Sequence, residues 1–221
     1  MKKQTIDKTI RSTFAALLLT AGVSANASTT WDFVSMANSG EYGISTLSLL
    51  GDGFSVDITG TKNGNAAYAY LDRGHGGLGV CGTLTGTQQC SPGSDDNITT
   101  GEILKMTFNK AVTIDKIWFN NNHDGDGSLS GNKVKIGGTD YALFLATGVP
   151  SFNDDWTPNV SFNVAAGGSL LFSLASTNFD QFYISGMTVT AVPEPETYAM
   201  MLAGLGLLGA VVRRRKQKPD A

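Results

Sequence analysis

Histidine and cysteine are almost missing from this chain, with two of each in 221 residues. His75 and His123 are not in H-x-x-x-H spacing, and two cysteines without a neighbouring histidine pair exclude a standard zinc site. No G-x-S-x-G occurs, which excludes the nucleophile elbow of an α/β-hydrolase. Basic charge is scarce as well: between residues 28 and 190, seven Lys and Arg stand against fifteen Asp and Glu, a net of −8. A region that acidic does not track a phosphate backbone, so nucleic acid is excluded as a partner. No apolar run reaches the roughly 20 residues that cross a bilayer core comfortably. No segment between the two ends keeps an i, i+3, i+4 pattern, which argues against a helical domain.

What is present is concentrated first at the ends. Lys2, Lys3, Lys8 and Arg11 precede an apolar run from Phe14 to Val23, and Ser24-Ala25-Asn26-Ala27 follows. A basic start, a short apolar stretch and a small-x-small site describe a secretory signal peptide over residues 1–27. Signal peptidase is expected to read Ala25 and Ala27 and to leave Ser28 as the new N-terminus.

At the other end, Pro193-Glu194-Pro195 leads into an apolar segment, Tyr198 to Val212, and then Arg213, Arg214, Arg215 and Lys216. The prolines are expected to keep their stretch extended and open to an enzyme. The apolar segment predicts a short transmembrane helix over 198–212, and the basic cluster should stay on the cytoplasmic side. This order closely resembles the PEP-CTERM sorting signal, also known as the ice-binding protein C-terminal domain, and the resemblance is confined to about residues 192–216. It implies processing by an exosortase in a Gram-negative bacterium, with the inner membrane as a transient anchor and the cell surface or the extracellular space as the destination. It implies sorting by residues 191–221 and nothing about the activity of the domain before them.

That domain, residues 28–190, reads as all-β. Phe54, Val56 and Ile58 alternate with polar residues, as do Leu104, Met106 and Phe108, and Val160, Phe162 and Val164. Tyr141–Leu145, Ser169–Leu174, Phe182–Ile184 and Met187–Val192 follow the same period of two. The apolar phase slips between Ile114 and Ile117, which predicts a β-bulge near Asp115. Regularly spaced short strands predict an antiparallel β-sandwich, jelly-roll-like, with Arg73–Thr100 and Asn120–Asn132 as its long irregular loops. Two G-x-G-x-x-G matches, Gly74–Gly79 and Gly204–Gly209, lack the strand-then-helix setting of a dinucleotide site and carry no such meaning.

Cys81 and Cys90, in an exported chain, predict a disulfide stabilising by less than about 3 kcal/mol. Asp124, Asp126 and Ser128 have the spacing that opens a Ca²⁺ loop, but Leu129 and Lys135 stand where an EF-hand needs Gly and Glu. A looser calcium site shared with Asp95 and Asp96 is the metal expectation, and no cofactor is required. Among the aromatics that could stack on sugar (Trp31, Trp118, Trp156, Tyr68, Tyr70, Tyr141 and Tyr183), Trp156 beside Asp154 is the best exposed candidate for a carbohydrate contact. Asp72, Asp95, Glu102 and Asp154 are the carboxylates a glycosidase reading would use. The expectation is a non-catalytic surface or matrix protein that binds or scaffolds extracellular polysaccharide. Its rivals are a secreted polysaccharide hydrolase and a calcium-dependent adhesin or ice-binding protein.

Overall fold

The period-two pattern becomes strands throughout. In the computed structural model, described over residues 28–121, 123, 129–146, 155–175, 180–193 and 195–216, the strands in chain order are β1 (Ser28–Asp32), β2 (Tyr42–Ile44), β3 (Leu47–Leu50), β4 (Ser55–Lys62), β5 (Asn65–Asp72), β6 (Gly77–Cys81), β7 (Ile98–Thr99) and β8 (Glu102–Phe108). There follow β9 (Val112–Asn120), β10 (Lys133–Ile136), β11 (Thr139–Ala142), β12 (Phe144–Leu145), β13 (Trp156–Thr157), β14 (Phe162–Val164), β15 (Ser169–Leu174) and β16 (Gln181–Ala191). Two helices occur among the described residues, α1 (Phe33–Ser39) and α2 (Pro195–Lys216). The β unit, Ala27–Val192, is compact in itself, and the segment from Pro193 onward belongs to a separate unit.

The strands form one continuous antiparallel path, β11-β10-β15-β8-β4-β5-β6-β16-β9-β13-β12, with shorter strands attached along it. The all-β, antiparallel expectation holds, and where a sandwich of two sheets was expected the described strands join into one. The reason lies in β5. A two-residue turn at Asn63-Gly64, both with left-handed φ (51° and 79°), makes a tight hairpin. The first residues of β5, Asn65–Ala67, then pair with β4, and its remainder, Tyr68–Asp72, turns to pair with β6. Hydrogen bonding therefore continues around the corner. The two ends of the path, β11 and β12, are separated in the chain by Leu143 alone, so the sheet is nearly closed and barrel-like.

The two halves face each other across one core. Phe119 on β9 meets Phe172 on β15 at 6.3 Å and Phe182 on β16 at 5.6 Å between ring centroids. Strands β4, β8 and β15 alternate buried and outward residues as their sequences predict. The predicted bulge is present: Lys116 pairs with Thr188 and Ile114 with Val189, leaving Asp115 as the extra residue. A second irregularity between Ile184 and Gly186 places Ser185 out of register and joins the two expected runs, Phe182–Ile184 and Met187–Val192, into one strand.

Some expectations fail for local reasons. Helix α1 was not foreseen. It has only seven residues, too few for a helical period, and is capped by Asp32, whose carboxylate accepts the Ser35 N–H at 2.8 Å. The long loop Arg73–Thr100 holds β6 and β7, and β6 is buried along its whole length, so no alternation marks it. Tyr141–Leu145 splits at Leu143 into β11 and β12, and the run from Val160 starts as a strand only at Phe162.

In the C-terminal unit, α2 begins at Pro195, so the second proline opens the helix instead of extending the motif. A proline fits a first helical position because its missing N–H is not needed there. Glu194 lies outside the described residues, as do Ala25 and Ala27 of the signal-peptide expectation. Among the described residues no helix is long and apolar enough to cross a membrane. The apolar stretch inside α2 rises about 22 Å at 1.5 Å per residue, short of a hydrocarbon core of about 30 Å.

Candidate functional site

Two places in the β unit combine polar chemistry with shape. The first grows from the register of β5, β6, β16 and β9. Leu71 pairs with Leu78, Leu78 with Ile184, and Ile184 with Phe119, and all four face the core. One residue along each strand the side chains turn to the other face. There Tyr70 pairs with Gly79, Tyr183 with Asn120, and Asp72 with Gly77. Gly77 and Gly79 carry no side chains, so β6 leaves a trench between its neighbours. The segment at Asp96-Asn97 lies in it: a β-carbon on Gly79 would run into the Asp96 carbonyl oxygen, and the Val80 N–H donates to the Asn97 carbonyl at 3.1 Å.

Asp72, Asp96 and His123 converge in this trench, with their ligand-type atoms all within 4.8 Å of one another. Asp72 and Asp96 are buried, at 1% and 2% exposure. His123 Nδ1 lies 2.6 Å from Asp72 Oδ2, and the histidine side chain is 36% exposed, on the solvent side. The Tyr183 hydroxyl donates to Asp96 Oδ1 at 2.8 Å, and Asn120 Nδ2 donates to the Gly76 carbonyl at 2.7 Å. Burial pushes the Asp72 carboxyl up to about 6; Glu41 adds to the rise, while His123 and Tyr183 oppose it. Gly74 and Gly76 close the cradle. A β-carbon on Gly74 would stand 3.0 Å from the His123 ring, and one on Gly76 would collide with the Asp72 carboxylate. The glycines of the discarded G-x-G-x-x-G match thus let backbone approach a carboxylate and an imidazole, not a pyrophosphate.

Asp95 belongs to a different cluster from Asp96. Lys62 Nζ is bonded to Asp95 Oδ1 and lies 3.1 Å from Glu102 Oε1. Asp95 Oδ2 accepts the Gly82 N–H at 3.1 Å, and Glu102 Oε2 accepts the Thr99 N–H at 2.9 Å and its hydroxyl at 3.0 Å. Burial holds Glu102 above the usual carboxylate range despite these donors. For Lys62 burial pulls the other way, but the bonds to Asp95 and Glu102 outweigh it and raise the amine. A lysine held between both carboxylates makes this a clamp on the loop that Cys81 and Cys90 close. Those two form the expected disulfide, nine residues apart in the chain. Of the other calcium and sugar candidates, Asp124, Asp126, Ser128 and Asp154 lie outside the described residues.

The second place is a groove of about 460 Å³ beside the Asp115 bulge. The bulge turns both Asp115 and Lys116 outward, and the Thr190 hydroxyl donates to Asp115 Oδ2 at 2.6 Å. Trp118, Leu145, Thr157 and Asn159 are among the other residues that line it. Trp156, the expected sugar contact, instead packs half-buried against the core; its neighbour Thr157 is the one that lines the groove. Only the position of Trp118 next to a phase slip in the apolar pattern signals this groove in the sequence.

Residues 191–216 match the PEP-CTERM protein-sorting motif. The match covers the C-terminal segment alone. No curated protein and no solved structure matches the chain.

Proposed function

We propose that this exosortase-sorted, exported chain is a non-catalytic surface or matrix protein that binds extracellular polysaccharide in the groove beside Trp118. The PEP-CTERM motif implies export, processing by an exosortase and sorting to the cell surface. In this reading signal peptidase removes residues 1–27, and α2 serves as a short-lived hook at the inner membrane, held by Arg213, Arg214 and Arg215. The observation that carries the binding role is the groove itself. The Trp118 side chain, an outward lysine and carboxylate, and the residues Asn159 and Thr157 line one concave surface. Sugar rings present apolar faces edged by hydroxyls, and such a mixture of aromatic and polar groups answers both. A hydrolase would need two facing carboxylates, and Asp115 is the one carboxylate among the groove's lining residues. Calcium is optional here, with the loop at Asp124, Asp126 and Ser128 as its expected place.

The test is titration of the purified full chain with neutral and acidic polysaccharides, followed by tryptophan fluorescence, with and without a calcium chelator. Binding that weakens about tenfold, or 1.4 kcal/mol, in Lys116→Ala and Asn159→Ala supports the proposal. Binding unchanged in both variants removes the groove, and release of soluble sugars would make the protein an enzyme.

A further inference from the structure

We infer that the end of β16 is a gate on the sorting motif: the folded sheet holds Thr190, Ala191 and Val192, and the processing enzyme takes the motif only when they peel away. This gate rests on the sorting reading and is independent of the groove.

Motif and sheet overlap. The matched motif spans residues 191–216, yet Ala191 is still the last residue of β16, paired with Val112. Pairing runs one residue further, because the Val192 N–H donates to the Ala111 carbonyl at 2.8 Å. Thr190 is held from both sides, by Thr113 on β9 and by Ser28 on β1. Its hydroxyl also donates to Asp115 Oδ2 at 2.6 Å. Ser28, the N-terminus expected after signal-peptide removal, is therefore one of the partners that an opening must release.

Room beyond the sheet is short. Only Pro193 and Glu194 lie between Val192 and the start of α2 at Pro195. The chain from Val192 to Pro195, fully extended, reaches about 11 Å at most. Neither proline has an N–H to offer, so an enzyme that grips backbone here must also reach the residues before Pro193. Their backbone groups are already engaged in the sheet.

Opening this end costs little. Side chains alternate along a strand, and Val189 is fully buried, whereas Ala191 is half-buried against the core and Val192 is exposed. Peeling from the end withdraws a single core methyl group before it meets Val189, where it stops. Strand ends open locally far more often than a whole fold does. An enzyme that accepts only the open form is slowed by the open fraction. The paired sheet thus delays processing without forbidding it.

The experiment follows tail removal from the full chain in its own cells, by pulse-chase and mass. Inserting Gly-Ser-Gly-Ser between Val192 and Pro193 leaves sheet and motif intact and should hasten removal about fivefold. The melting curve of that variant should match the unaltered one. Thr190→Gly loosens the strand end outside the motif; it should hasten removal as well, but add nothing once the insertion is present. Removal at an unchanged or lower rate in the insertion variant, or a further gain from Thr190→Gly on top of it, would overturn the gate alone. A tail that stays on the unaltered chain would overturn the sorting reading, and the gate with it.

Discussion

Gly76 packs against Asp72 so tightly that a β-carbon at position 76 would run into the carboxylate and stand 2.8 Å from the Asp72 carbonyl oxygen. Gly76→Ala is expected to destabilise the chain by about 1–3 kcal/mol in urea unfolding, the usual range for overpacking. Gly79→Ala should cost more, because its β-carbon meets the carbonyl oxygen of Asp96 and the Asn97 Cα, backbone that cannot rotate aside. Gly40, with extended backbone and nothing within 4 Å of a β-carbon, supplies the neutral comparison.

Tyr70 gives a pH-dependent counterpart. Its hydroxyl donates to Glu41 Oε1 at 2.6 Å and accepts the Cys90 N–H at 3.2 Å. Burial, then the bond to Glu41, lifts the phenol well above its ordinary value near 10. A raised folded pKa stabilises fully below the unfolded value, and that contribution is lost as pH climbs through the folded one. Melting curves from pH 7 to 11 should therefore fall above about pH 10, and Tyr70→Phe should flatten part of that fall. At neutral pH the same variant leaves the Cys90 N–H without its partner, at a cost of about 1–3 kcal/mol.

The Cys81–Cys90 bridge closes a loop with a sequence separation of nine. Replacing both cysteines by serine should lower stability by about 2–3 kcal/mol through the added freedom of the unfolded chain. Reductant should shift the denaturation midpoint of the unaltered protein by the same amount and leave the double variant unmoved.

Sorting is tested at the tail. Deleting Arg213–Lys216, or replacing Pro193-Glu194-Pro195 by alanines, should leave the protein at the membrane when cell fractions are probed. Normal arrival of both variants at the surface would disprove the sorting role of residues 191–216.

The parts of the fold that were legible are those where one face is wet. Strands β4, β8 and β15 alternate because solvent lies on one side and core on the other, and Asp115 betrays its bulge as a slip of that phase. Strand β6 offers no such contrast, since Gly77 to Cys81 are all buried and its glycines resemble turns. The closing of the sheet depends on how β5 divides its partners, which local pattern does not encode. The disulfide followed from an even cysteine count in an exported chain. Asp72, Asp96 and His123 were individually visible, yet strand register brings them together from three distant segments. Their trace in the sequence was the glycine density at 74–79, whose meaning depends on what approaches it. The groove was hidden likewise, because Trp118 and Asn159 come to line one groove only through the pairing of β9 with β13.

Strand β16 pairs with β1, β6, β7 and β9, and it ends at Ala191, where the matched tail begins. A chain threaded through a membrane from its N-terminus delivers that strand last. Until it emerges, Ser28–Asp32 has no partner, and neither β6 nor β9 has its shared neighbour. Contacts between residues so far apart in the chain form slowly, and strand edges left open in the meantime invite pairing with other chains. Order of emergence thus becomes order of assembly: in a chain exported from its N-terminus, the barrel-like sheet closes only after β16 has emerged.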